Sequence, residues 1–141
     1  MAIPEVVQQK LSDAVYQRPR ESNVEEALAK LGIDPSSEFA EFIETYQGSF
    51  GSPKTGFELL DLEEGEESIL SSTETVRKVF GWPNRFIVVS TYLGNGVLVY
   101  DIESGSVFNV DFEGGDTLLL EGKLPPEWDT WNDFLAYYFG D

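Results

Sequence analysis

Cysteine and histidine are both absent from these 141 residues. Without thiols there is no disulfide framework and no thiol chemistry, a composition that suits a reducing compartment such as the cytoplasm. Without imidazole the chain lacks the commonest general base near neutral pH and the commonest metal ligand. Ser-His-Asp triads, Cys-His pairs and zinc sites of the Cys/His kind are excluded together. Carboxylates, lysines, tyrosines and serines are left for catalysis, so no enzyme, no cofactor and no metal site is expected. Apolar runs are short as well: none approaches the roughly 18 residues needed to span a bilayer. The opening MAIPEVVQQK carries neither a basic leader nor a long apolar block, so it is not expected to act as a secretion signal.

Basic residues are scarce, 9 against 26 acidic ones, for a net charge of −17. The imbalance is steepest from residue 86 onward, where ten acids face one base, Lys123. Such a surface repels phosphate backbones and anionic lipid, so neither nucleic acid nor membrane is an expected partner. It attracts a basic protein and speeds the encounter at low salt. Charge also serves plain solubility, and on its own it does not choose between the two roles. Hydrophobic content of 41% and charged content of 25% are ordinary globular usage, and the length fits one domain, residues 1–141.

Along the chain, Ile3, Val7, Leu11 and Val15 recur every four residues, which predicts an amphipathic helix over 4–17 ended by Pro19. Ser22 and Glu25 form a capping-box pattern for a second helix carrying Val24, Leu28 and Leu31, with Gly32 as its stop. Asp34 and Pro35 then read as cap and first position of a third helix, with Phe39, Phe42, Ile43 and Tyr46 as its buried stripe and Gly48 as its end. Residues 56–62 read as a short strand before an acidic turn. Ser71 and Glu74 are expected to cap a helix containing Val76, Val79 and Phe80, which stops at Gly81. Three runs rich in β-branched and aromatic residues follow, at 85–92, 97–102 and 106–112. Gly94-Asn95-Gly96 and Glu103-Ser104-Gly105 separate them, which predicts an antiparallel meander. Residues 117–120 read as a further strand. A final helix carries Trp131, Phe134, Leu135 and Tyr138 on one face. Helices first, then a meander, then a closing helix make the expected class α+β.

Read in order, several of these pieces resemble the SUKH superfamily of Smi–Knr-type proteins. Glu25-Glu26-Ala27-Leu28-Ala29-Lys30-Leu31-Gly32 is similar to that family's helix ending in Leu-Gly. Asp34-Pro35-Ser36-Ser37-Glu38-Phe39, running into Phe42-Ile43-Glu44-Thr45-Tyr46, resembles its Pro-led helix, although the usual preceding Leu is missing. Tyr46-Gln47-Gly48 stands where the family has a Tyr-Asn-Gly-like exit. Gly94-Asn95-Gly96, then Val99-Tyr100-Asp101 and the Gly105 turn, resembles its glycine-rich hairpin, and Trp131-Asn132-Asp133-Phe134-Leu135 its last helix. The likeness runs over 23–139, with the opening helix outside it. Bacterial proteins of this kind are largely immunity proteins that bind a toxin domain and block it; many of those toxins act on nucleic acid. Fungal relatives regulate cell-wall synthesis through partner binding. The resemblance therefore implies a protein-binding protein. Toxin immunity is the leading reading, a non-enzymatic regulatory scaffold for a signalling or cell-envelope protein is the alternative, and an enzyme built on carboxylates alone is the third.

A toxin acting on nucleic acid needs a basic cleft, and an acidic protein can fill it with carboxylates where phosphates would lie. The candidate acids are Glu63, Glu64, Glu66 and Glu67 in one turn, and Asp101, Glu103, Asp111, Glu113 and Asp116 around the meander. Trp82 and Trp128 are candidate aromatic anchors. No family motif designates any of them. Two other patterns fail on their chemistry. Gly48 to Thr55 comes near a phosphate-binding loop, but Pro53 stands where a glycine N–H is needed. Asn109-Val110-Asp111-Phe112-Glu113-Gly114 begins like a calcium loop, whose twelfth position would be Leu120 instead of glutamate.

Overall fold

Three consecutive strands, β1 (Phe86–Val88), β2 (Gly96–Asp101) and β3 (Val107–Asp111), pair antiparallel in chain order. The computed structural model describes residues 3–19, 24–52, 54–63 and 67–140. Ile87 lies opposite Tyr100, Val88 opposite Val99, and Val97 opposite Val110. Ile87, Leu98, Tyr100 and Val107 turn toward one core, and Phe86, Val88, Val97, Val99, Phe108 and Val110 toward a second. With apolar residues buried on both sides, the strands read as near-continuous apolar runs instead of alternating ones.

Six helices flank the sheet among the described residues: α1 (Glu5–Lys10), α2 (Val24–Leu31), α3 (Glu38–Thr45), α4 (Ile69–Phe80), α5 (Gly115–Leu120) and α6 (Trp131–Phe139). α1 and α3 pack on α6, and α2 on α3, building the first core. α4 lies against β1 and α5 against β3, with Val76, Leu119 and Trp82 filling the second core. Thr73 of α4 is fully buried, and its Oγ1 accepts the N–H of Val88 at 3.0 Å, so a helix side chain completes the ladder of β1. The architecture is α+β, as expected.

Several elements depart from the sequence reading for local reasons. α1 ends at Lys10, because the Asp13 side chain accepts the Val15 N–H and starts a separate 3-10 turn over Ala14–Tyr16. Val15 is thereby turned out, 65% exposed, instead of continuing the buried stripe. Ser22 lies outside the described residues, while Gly32 adopts φ 77°, the left-handed stop expected of it. α3 is capped by Ser37, whose Oγ accepts the Ala40 N–H; Asp34 and Pro35 form the turn before it. That helix ends at Thr45, because Tyr46 takes an extended conformation and bridges to Gln17. α4 is capped by Ser68, whose side chain and that of Ser71 cap each other's N–H, three residues ahead of the expected cap. Residues 56–62 form no continuous strand: Leu59 bridges singly to Phe50 and to Ser90. Residues 117–120 are helical: the Asp111 carboxylate accepts the N–H groups of Glu113 and Gly115 and turns the chain into α5. A run as short as Thr117-Leu118-Leu119-Leu120 carries no periodicity that separates strand from helix.

The first core is dominated by rings. Phe39 stacks on Tyr100 and meets Trp131 edge-on, both at 4.8 Å between centroids. Tyr138 places its hydroxyl 2.8 Å from the carbonyls of both Phe50 and Phe57, tying α6 to the loop after α3. Burial pushes the Tyr100 and Tyr138 phenols up to about 12. In the unfolded chain they ionise near pH 10. Between these limits the unfolded chain has released protons that the folded chain keeps, so stability is intact below pH 10 and falls as pH rises toward 12. Phenolate absorbance should show at least Tyr100 and Tyr138, of the six tyrosines, ionising late, as circular dichroism reports loss of structure. All six ionising near pH 10 with the fold intact would contradict this burial.

Candidate protein-binding surface

The meander separates the acids that the sequence placed around it. β2 runs from Gly96 to Asp101 while β3 runs back, with Gly96 opposite Asp111. Asp101 and Glu103 therefore lie at one end of the sheet, and Asp111, Glu113 and Asp116 at the other. The rise of about 3.4 Å per residue puts roughly 17 Å between the two ends.

At the first end, Asp101 is 2% exposed and does not face a partner, contrary to the sequence expectation. Arg85 donates to both of its oxygens, and the Glu103 N–H and Ser104 hydroxyl donate as well. Burial raises the Asp101 carboxyl, but these bonds outweigh it and hold the group below the usual carboxylate range. Its turn position suggested exposure; the pairing of Phe86 with Asp101 across the β1–β2 ladder is what delivers Arg85. Glu103 stays exposed, 3.8 Å from Arg85. Trp128 is half-buried, its ring 4.9 Å from that of Phe134 and 5.4 Å from that of Tyr137, and its backbone bridges to Val107.

At the second end the acids are less satisfied. Asp111 spends one oxygen on the Glu113 and Gly115 N–H groups, and Glu113 accepts from the Asn95 side chain at 2.7 Å. Glu67 stands exposed just before the cap of α4, close enough for its charge to raise the Tyr92 phenol further after burial has done so. Glu63 is exposed, and Glu64 and Glu66 lie outside the described residues. None of Glu63, Glu67, Asp111, Glu113 and Asp116 forms an ion pair with a described basic residue; among the described residues Arg18 pairs with Asp61, Arg85 with Asp101 and Glu103, and Lys123 with Glu121. Glu63 and Glu67 also precede the N-terminus of α4, where negative charge is favourable to the helix itself.

Trp82 is 4% exposed and is no surface anchor; it is the floor of an aromatic cluster that sequence reasoning missed. Phe112 is the hub. Its ring lies 5.9 Å from Trp82 in a stacked arrangement, 5.4 Å from Phe80 and 5.8 Å from Tyr92. Phe80 ends α4, Tyr92 follows β1, and Phe112 follows β3, so only the topology brings them together. Phe80 is 52% and Tyr92 45% exposed. Of the three apolar residues assigned to this helix, Val76 alone is buried, with Val79 and Phe80 facing out.

A cleft of about 340 Å³ lies against α5, lined in part by Phe86, Phe108, Leu119, Arg85 and Asp101. Its titratable groups are tied to each other, and a carboxylate held below its ordinary range is a poor general base. Among the described residues no group of three or more Asp, Glu, His or Cys side chains could hold a metal ion, and no helix is long and apolar enough to cross a membrane. Over residues 18–137 the chain matches the SMI1 / KNR4 family (SUKH-1), and no curated protein matches it.

Proposed function

The chain belongs to the SMI1 / KNR4 family (SUKH-1), and we propose that it is an immunity-type protein. In this reading it is a non-catalytic, cytoplasmic, single-domain binder that neutralises a cognate basic toxin domain by stoichiometric blocking. The observation that supports the reading is the acidic end of the sheet, where Asp111, Glu113 and Asp116 follow one another from the end of β3 and Glu67 acts on nearby Tyr92, none of them in an ion pair with a described basic residue. A cleft that handles phosphates offers the complementary charge, and such complementarity acts mainly on the rate of encounter.

The test is co-expression with a toxin domain encoded beside this gene, followed by stopped-flow association of the purified pair. Growth rescue with a one-to-one complex is expected. Replacing Glu67, Glu113 and Asp116 together by lysine should lower the association rate at least about tenfold at low salt and flatten its salt dependence. Rescue with no complex, or a rate indifferent to the reversal, would overturn the acidic face. Recovery of an envelope or signalling protein in place of a toxin would move the assignment to a regulatory scaffold.

A further inference from the structure

We propose that Phe80, Tyr92 and Phe112, flanked by Glu67 and Glu113, form a seat for arginine side chains of a basic polypeptide. The inference deepens the function proposed above by naming the chemistry that the partner must present.

Rings that make a cluster usually hide it, as Phe39 and Trp131 do here. In this cluster Trp82 is hidden and Phe112 half-covered, while Phe80 and Tyr92 remain open to solvent. The open rings adjoin carboxylates. Glu113 follows Phe112 directly, and its Oε1 is engaged by Asn95, which leaves Oε2 free of a described hydrogen-bond partner. The Glu67 charge acts on the Tyr92 phenol. Guanidinium fits both features: its planar, weakly hydrated face stacks on an aromatic ring within about 6 Å of the centroid, and its fork pairs with carboxylate oxygens. A lysine ammonium satisfies the carboxylates but, as a compact and strongly hydrated charge, makes less use of the rings. A second copy of this chain, at −17, brings the same sign of charge and is repelled.

The inference is tested on the full chain with two probes of equal charge, a hexa-arginine and a hexa-lysine peptide, titrated at fixed ionic strength and followed by amide NMR shifts. The arginine peptide should shift Phe80, Tyr92, Phe112 and Glu113 and bind about fivefold tighter than the lysine peptide. Tyr92→Leu, which keeps apolar area and removes the ring, should abolish that preference, and so should the pair Glu67→Gln and Glu113→Gln. Glu103→Gln, at the other end of the sheet, should leave it intact. Equal binding of the two peptides, or shifts centred on Glu103, would overturn the arginine seat. Neither result bears on toxin immunity, which stands or falls on growth rescue and complex formation.

Discussion

Arg18→Met is expected to lower the unfolding free energy by about 3–5 kcal/mol, the usual penalty for leaving one member of a buried ion pair without the other. Arg18 and Asp61 are 4% and 2% exposed at their side chains. The guanidinium donates to Asp61 and to the carbonyls of Ile43 and Tyr46, so it fastens the end of α3 to the segment that leads into α4. Removing it strands the Asp61 carboxylate in the core together with two carbonyls. The double substitution Arg18→Met with Asp61→Leu should recover most of the loss, because replacing both partners by apolar groups removes the stranded charge. Urea midpoints of the two single variants and the double variant complete the cycle. A loss below about 1 kcal/mol for Arg18→Met, typical of exposed pairs, would show that the pair is solvated.

Trp131→Ala is expected to destabilise by a similar amount, about 3–5 kcal/mol, through a different mechanism. The indole sits among Phe39, Phe42, Tyr100 and Phe134, in contact with residues of α3, β2 and its own helix. Truncation opens a cavity where these elements meet. Its Nε1 is buried and has no hydrogen-bond partner among the described residues, so Trp131→Phe sacrifices volume but no such bond and should cost only roughly 1–2 kcal/mol. Thermal or urea unfolding of the two variants separates the contributions. Equal losses for phenylalanine and alanine would mean that the indole nitrogen is bonded after all.

How much of this was legible follows the range of each signal. The stripe Trp131, Phe134, Leu135 and Tyr138 lies within one helix, and its periodicity marks it as buried, as it is. The glycine-marked turns of the meander likewise predict three antiparallel strands. Signals that depend on a distant partner were illegible. Asp101 reads as an exposed turn acid until Arg85 arrives from the neighbouring strand. The Tyr92, Phe112 and Phe80 cluster has no local pattern, since Phe80 ends α4 while Tyr92 and Phe112 lie in the segments after β1 and β3. Val15 fails for the opposite reason: a local cap at Asp13 overrides a periodicity that would otherwise continue. Of the proposed surface, Glu67, Asp111, Glu113 and Asp116 were visible as charges, but nothing in their order distinguishes them from Asp101, which folds inward.

The handling of the outer strands has a consequence for the behaviour of this protein at high concentration. Beside β1 the chain supplies Thr73 Oγ1 for the Val88 N–H, and the 56–62 segment supplies Leu60 N–H to Val89 O. Beside β3 the Glu127 and Trp128 backbones occupy Val107, and further along Asn109 and Asp111 expose polar side chains. Edge-to-edge polymerisation needs a long, flat run of unpaired peptide groups. A chain that displays Phe80 and Tyr92 to its surroundings is thus sticky through its side chains while its strand edges are blunted, which favours docking with a partner over growth into fibrils.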